Sequence, residues 1–146
     1  EIPIEFRKAV GVRIYGCDDC QEVCPVGKTE RRNDSASSSH EVAIIEILEA
    51  SDEELLDTFG AWYIANREPR YLRRNALVAI GNSKTPIQDR ILSVLCEYLE
   101  NPDPLLRAHA VWAASNIGRS DLLEKVFGDS DQTVRKELER LPEFQK

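Results

Sequence analysis

The 146-residue sequence contains no methionine and opens with Glu1. Because a translation product begins with methionine, these two features predict that the chain is a piece of a longer protein. The sequence also lacks any run of eighteen apolar residues and any basic start followed by an apolar stretch, which a transmembrane helix and a secretory signal would need. We therefore expect a soluble, cytoplasmic, monomeric chain with no membrane partner.

Basic residues are in the minority, with 19 Lys and Arg against 26 Asp and Glu and a net charge of −7. This balance argues against a protein that coats nucleic acid over its whole surface, but it says nothing about a local basic patch. The charges are segregated, because residues 39–66 contain seven acids and no Lys or Arg, whereas residues 67–90 contain six bases and two acids. The second segment is therefore a candidate surface for an anionic partner.

Strand-like alternation of β-branched residues is absent, and apolar residues from His40 onward recur at helical spacing. The sequence therefore predicts an all-α fold. A capping box at Ser51 and Glu54, and Pro86 in a first turn, mark two helix starts. The predicted helices are one around residues 42–48, one from Ser51 whose apolar face continues through Trp62 and Tyr63, then 71–80, 85–100, 105–117, a short one from Ser120, and 133–141.

The helical part contains internal repeats. Residues 71–79 align with residues 105–113 at a shift of 34, and residues 103–107 recur more weakly as residues 131–135 at a shift of 28. A period in this range, with small Ala residues where helices approach, is typical of HEAT-like repeats. The alternative is two helices that share a pattern by coincidence. We predict a HEAT-like solenoid of three units over residues 40–146.

The first part of the chain, residues 1–34, differs from the rest. It holds three of the four cysteines, Cys17, Cys20 and Cys24, and little apolar periodicity, so it is predicted to be loop-like. The Ser-rich residues that follow, to about residue 39, have the composition of a solvated linker. We therefore predict a domain boundary there.

The spacing Cys17-x-x-Cys20-x-x-x-Cys24-Pro matches the last three cysteines of the bacterial ferredoxin run. The last cysteine of that run ligates the other cluster of a two-cluster protein. By this rule Cys17 and Cys20 hold one [4Fe–4S] cluster and Cys24 reaches a second, a partial ferredoxin-type loop. Each cluster needs four thiolates, so the remaining ligands must come from outside this sequence.

Other chemistries for the cysteines are less favoured. A zinc site normally needs a second ligand pair, and the nearby nitrogen donor is His40, beyond the linker. A disulfide conflicts with the odd count of three and the intracellular prediction. Cys96 lies among leucines in a predicted helix and is interpreted as a small core residue.

Three segments resemble the C-terminal part of the epoxyqueuosine reductases: residues 14–25 with the cysteines, residues 72–82 and residues 107–113. The resemblance implies an iron–sulfur, cobalamin-dependent reductase that removes the epoxide oxygen from epoxyqueuosine in tRNA. It also implies that cobalamin and the catalytic residues belong to an upstream half of the protein. This chain would supply cluster ligands and tRNA-contacting repeats.

The arginines of the basic segment are the candidate tRNA contacts, because a guanidinium makes paired hydrogen bonds to phosphate. Some of them have a structural alternative, in which Arg73 and Arg107 pair with acids such as Asp103 and Asp131 within the repeats. His109 is interpreted as a satisfied core histidine. The candidates are Arg67, Arg70, Arg73, Arg74 and Arg107.

A different class of function also fits these patterns. The chain could be a stand-alone HEAT-like interaction module whose cysteine loop is vestigial or binds zinc. Iron content separates the two hypotheses.

Overall fold

The computed structural model describes residues 1–16, 20, 23–25, 44–84 and 86–141, and the regular secondary structure in these ranges is helical. This confirms the all-α prediction. Two short stretches are 3-10 helices, Ala65–Arg67 and Ser120–Val126. The α-helices are α1 (Ile4–Val10), α2 (Ile44–Glu49), α3 (Asp52–Phe59), α4 (Arg70–Gly81), α5 (Asp89–Leu99), α6 (Pro104–Asn116) and α7 (Gln132–Glu139).

Helix α2 and the helices after α3 form two layers. In the inner layer α4 packs on α6, and α6 packs on α7; α2, α5 and the 3-10 helix Ser120–Val126 form the outer layer. The predicted equivalence of α4 and α6 is confirmed, because the aligned pairs are all buried. These pairs are Leu72 with Leu106, Ala76 with Ala110 and Ala79 with Ala113.

The weaker repeat at a shift of 28 is confirmed by identical helix starts. The carboxylate of Asp103 accepts a hydrogen bond from the Leu105 amide at 2.9 Å, and that of Asp131 accepts one from the Thr133 amide at 2.7 Å. Both are N-caps that satisfy a free N–H of the first turn. The capping box at Ser51 is confirmed as well.

The helix predicted from residue 85 begins later, at Asp89. Gln88 has extended backbone angles, and its carbonyl accepts the first helical hydrogen bonds, from Ile91 and Leu92. Pro86 therefore precedes the helix, and its prediction as a first-turn proline is wrong. The segment from Ser120 is also tighter than an α-helix.

The prediction that residues 1–34 are loop-like is wrong for residues 4–10, which form α1. The boundary predicted near residue 39 lies outside the described residues. Helix α1 lies against the inner layer and is tied to it by polar contacts. The side-chain amide of Asn82, at the end of α4, donates to the carbonyls of Arg7 at 2.7 Å and Gly11 at 2.8 Å.

Arg7 is the centre of this contact. It is fully buried, its guanidinium donates to both carboxylate oxygens of Glu137 on α7 at 2.7 and 3.1 Å, and it lies 5.5 Å from the ring centroid of Trp112 on α6. A buried charge is tolerated only with such a partner. The N-terminal helix is therefore an integral part of the helical body.

Trp112 also marks the closest approach within the inner layer. Gly81, near the end of α4, faces the Trp112 ring so closely that a Cβ at position 81 would overlap it. Glycine is needed here for space, since the backbone is helical.

Candidate nucleic-acid interface and cysteine segment

A small cleft opens where α4 meets the end of the N-terminal segment. Its volume is about 190 Å³. The aromatic and polar residues that line it are Tyr15, Tyr63, Tyr71, Arg74 and Asn75. We call it the tyrosine cleft. None of the described residues that line it is acidic.

Local packing positions the first two tyrosines. The Tyr15 ring stacks on Trp62, with centroids 4.6 Å apart and planes 7° apart. The Tyr15 hydroxyl accepts a hydrogen bond from the Tyr63 amide at 2.9 Å. Tyr63 was predicted to continue the apolar face of α3, but that helix ends at Phe59, and the side chain of Tyr63 is 84% exposed.

The turn after Tyr63 has an unusual backbone. Asn66 and Arg67 have φ angles of 54° and 53°, in the left-handed region that costs energy for residues other than glycine. The Arg67 guanidinium donates to the Gly60 carbonyl at 3.4 Å. Arg67, one of the predicted tRNA contacts, is therefore itself part of the strained turn.

Arg74 and Arg70 lie on either side of Tyr71 in sequence, and both approach its ring, at 5.1 and 5.4 Å from the centroid. The Nε and Nη2 groups of Arg74 donate to the amide oxygen of Asn75 at 3.1 and 2.9 Å. Within the described ranges, no carboxylate pairs with Arg74. Burial lowers the pKa of Arg74, and Tyr71 partly offsets that effect.

Arg70 is more exposed and has acidic neighbours. Its guanidinium lies 3.4 Å from Glu68 and 3.2 Å from Asp103. Its Nε atom is nevertheless buried without a hydrogen bond. The cations of Arg70 and Arg74 share the Tyr71 ring, and we call this pair the positive patch; Glu68 and Asp103 offset the charge of Arg70 but not that of Arg74.

Arg73 and Arg107 have extensive structural contacts. The Arg73 guanidinium pairs with Asp52 and donates to the Ala50 carbonyl at 2.7 Å. Arg107 donates to both oxygens of Asp129 at 2.7 and 3.0 Å, which raises the pKa of the guanidinium and lowers that of the Asp129 carboxyl. Their acidic partners differ from those the sequence suggested, and a role in binding tRNA stays a prediction.

A second, larger cleft of about 410 Å³ shares Tyr15, Arg74 and Asn75 with the tyrosine cleft and extends along α1 to Phe6 and Arg13. Asn75 ties the two regions together. Its side-chain amide donates to the Ile14 carbonyl at 2.7 Å while its oxygen accepts from Arg74. One side chain thus links the positive patch to the segment that leads to the cysteines.

The three predicted cluster ligands are only partly visible. Cys17 lies outside the described residues, Cys20 is exposed, Cys24 is half-buried, and the latter two have free thiols. In the described part of the chain, no group of three or more metal-binding side chains is assembled. Free thiols are the donors that an iron–sulfur cluster uses, so their chemistry fits the predicted cofactor. Cys96 lies in α5 as predicted but is only half-buried.

His109 is a satisfied core residue, as predicted. Burial, with the nearby Arg7 cation as a second cause, lowers its pKa to about 3. Its ring is therefore neutral, with Nδ1 donating to the Leu105 carbonyl at 2.7 Å and Nε2 accepting from the Ile2 amide at 3.4 Å.

Sequence reasoning missed the tyrosines and Asn75. The available signal was the spacing of Arg70, Tyr71 and Arg74, which places both cations within reach of one ring on a helix. No comparable signal marks Tyr15 or Tyr63, because their contact joins parts of the chain 48 residues apart.

Among the described helices, none combines the length and the apolar character that crossing a membrane requires.

Comparison with known proteins gives consistent matches. A family model of HEAT repeats matches residues 61–141. Epoxyqueuosine reductase of Bacillus subtilis is 32% identical over 149 residues, covering 95% of this chain and 38% of the relative, and that of Escherichia coli is 39% identical over 120 residues, covering 77% and 30%. The chain therefore spans about two fifths or less of these relatives.

A solved structure is similar over almost the whole chain. A crystal structure of epoxyqueuosine reductase with an epoxyqueuosine-modified tRNA-Tyr stem loop superposes with a TM-score of 0.76 at 28% identity, covering 99% of this chain and 41% of that one. The match includes the N-terminal segment as well as the repeats.

Proposed function

The chain belongs to the HEAT-repeat family, and on that premise, with its similarity to epoxyqueuosine reductases, we propose that it is part of a reductase of that type acting on tRNA. The observation that carries this proposal is the double contact of Asn75. It places Arg74, which has no carboxylate partner among the described residues, beside the backbone that leads to the cysteines. In this proposal a redox group held by the cysteines and an RNA partner at the positive patch would lie on one side of the protein.

In this proposal the positive patch binds RNA. Arg74 lacks a carboxylate partner in the described ranges, and Arg70 shares the Tyr71 ring with it. Phosphates would complete the hydrogen bonding of both guanidinium groups. Arg73 and Arg107 instead hold the repeats together through their acidic partners.

The cysteines would hold the iron. Cys17 and Cys20 would ligate one [4Fe–4S] cluster and Cys24 a second, with the other ligands and the cobalamin site supplied by the rest of the enzyme. Such clusters pass single electrons to a cofactor that carries out the reduction. The role of this chain is to hold the thiolates at a fixed place relative to the RNA-binding patch.

Anaerobic reconstitution of the full-length protein tests the redox part. We expect a brown protein with about eight iron atoms per chain, because two clusters of four irons are formed. Replacing Cys20 by Ser should lower the iron content, whereas replacing Cys96 by Ser should leave it unchanged. A colourless protein that binds one zinc would contradict the proposal and favour the interaction module.

Binding to the tRNA-Tyr stem loop tests the RNA part. Replacing Arg70 and Arg74 by Glu should weaken binding and flatten its salt dependence, because phosphate contacts release counterions. The single variants Arg74→Glu and Arg90→Glu change the net charge equally and are the matched pair, since Arg90 is exposed and pairs with Glu49 outside the patch. Equal losses in the two proteins would mean that net charge alone decides binding.

A further inference from the structure

We propose that the tyrosine cleft binds a single unpaired nucleotide of the RNA, with the base stacked on the ring of Tyr63 and its phosphate bound by Arg74. This rests on the proposed function, because it requires an RNA partner. It goes further by assigning one cleft to one nucleotide and by requiring that this nucleotide be unpaired.

The size of the cleft sets the first limit. Its 190 Å³ lies below the roughly 300 Å³ at which pockets for drug-sized ligands begin. It therefore suits one planar ring system. Three tyrosines line it, and the exposed ring of Tyr63 is the one that offers a face to planar bases, which stack on aromatic side chains irrespective of their sequence.

Tyr63 supplies the exposed stacking surface. Trp62 already stacks on Tyr15 and contacts Phe59, whereas within the described ranges no ring covers Tyr63, which is 84% exposed. Its backbone is nevertheless fixed by the hydrogen bond to the Tyr15 hydroxyl. An exposed aromatic ring on a fixed backbone is available to stack on a planar group such as a base.

The strained turn supports the same reading. Asn66 and Arg67 keep left-handed backbone angles immediately after the Ile64–Ala65 wall of the cleft. Strain of this kind persists only where the surrounding structure imposes it, and it concentrates at binding sites.

Arg74 supplies the charge. Nε and Nη2 are oriented by Asn75, and Nη1 makes no hydrogen bond with the described residues. No acidic side chain among the described lining residues competes for this cation. An anionic group entering the cleft would therefore meet an oriented, partly desolvated donor, which strengthens the interaction relative to water.

The base must be unpaired because a paired base exposes only its edge. In a duplex both faces of each base are stacked, so only single-stranded loops, bulges and ends offer a face to an aromatic side chain. A peptide with an aromatic residue and a carboxylate has similar chemistry. RNA is favoured because the Arg67 guanidinium, which donates to the neutral Gly60 carbonyl, adds positive charge in the turn that follows the Ile64–Ala65 wall, as a polyanion requires.

The test uses the full-length protein and two RNA probes, a stem loop with a single-stranded loop and a blunt duplex of the same length and composition. Tyr63→Ala should lower the stem-loop affinity about tenfold, as loss of one stacked base does, and leave duplex affinity unchanged. Tyr63→Phe, which keeps the ring, should bind both probes like the wild type. Phe127→Ala removes another exposed ring, outside the cleft, and should have no effect.

Arg74→Gln tests the phosphate contact. Log affinity falls as log salt concentration rises, and Arg74→Gln should make this fall shallower by about 0.7 units of slope, the value for one phosphate contact on a single strand. Arg90→Gln should change the slope less. If Tyr63→Ala weakens both probes equally or neither, the nucleotide site is wrong, while RNA binding by the repeats can stand. If the wild type binds neither probe, the proposed function fails as well.

Discussion

Arg7, at the contact between α1 and the inner layer, donates to both oxygens of Glu137, whereas Arg74, at the tyrosine cleft, has no carboxylate partner among the described residues. Both guanidinium groups are removed from water to a large extent, and both approach an aromatic ring. The first region neutralises its buried charge completely. The second orients its charge with the Asn75 amide, and no carboxylate in the described part of the chain neutralises it.

The difference separates a contact that maintains the fold from one available to a ligand. A buried ion pair is costly to break, because the remaining partner stays desolvated and unpaired. A half-buried cation without a counter-ion contributes little to folding, and such sites are commonly retained for function at the expense of stability. A substitution in the Arg7–Glu137 pair should therefore mainly lower the stability of the fold, whereas a substitution at Arg74 should mainly weaken ligand binding.

The largest effect is expected from breaking the buried pair. Glu137→Ala should lower the free energy of unfolding by about 3–5 kcal/mol, since Arg7 would remain buried without its carboxylate. Urea denaturation measures this loss. The double variant Arg7→Met with Glu137→Ala should be more stable than Glu137→Ala alone, and an additive double variant would show that the pair is not coupled.

The next largest loss of stability is expected from crowding at Trp112. Gly81→Ala places a Cβ into the Trp112 ring, and overpacking of this kind costs about 1–3 kcal/mol. Gly128→Ala is the matched control, because the space around Gly128 is open. It should leave the thermal midpoint unchanged or slightly raised. Equal midpoints for the two variants would mean that α4 and α6 can move apart without cost.

Acid should lower the stability of the fold through His109, which is buried near Arg7. Its folded-state pKa of about 3 lies below the ordinary value of 6.5, so the unfolded chain takes up the proton first as the pH falls. Its contribution to stability is complete above pH 6.5 and is lost progressively toward pH 3, by about 1 kcal/mol between pH 6 and pH 5. The measurement is denaturation at both pH values for the wild type and His109→Asn. An identical pH dependence in the two proteins would contradict the prediction.

The smallest effect on folding is expected at the cleft. Arg74→Gln should change the free energy of unfolding by less than about 0.5 kcal/mol, because no ion pair is lost. Urea denaturation beside Arg107→Gln, which breaks the pair with Asp129, supplies the contrast. If Arg74→Gln lowers the free energy of unfolding as much as Arg107→Gln does, Arg74 is a structural arginine like Arg107, and the distinction between the two is wrong.

The repeats could be predicted because their determinants are local. Ala76 and Ala110 recur at one spacing, and Asp103 and Asp131 each begin a helix by capping it. These features need only a few neighbouring residues to act. The start of α5 was misplaced because Pro86 suits either a first turn or the extended approach to one.

Helix α1 and its buried arginine could not be predicted in the same way. Arginine is rarely buried, and the contact that explains Arg7 is made with a residue 130 positions away. A faint signal existed in Glu137, which lies on the apolar stripe formed by Val134, Leu138 and Leu141. The cleft shares this difficulty, since Tyr63 becomes exposed only because α3 ends before it.

The position of α1 against the last helix has a consequence for how the chain is made. Residues 1–16 leave the ribosome well before Glu137 is synthesised. At about 5–20 residues per second the delay is on the order of ten seconds, during which Arg7 is hydrated and unpaired. The pair between Arg7 and Glu137 therefore forms only after α7 has been synthesised, whereas the contact of α1 with Asn82 of α4 can form earlier.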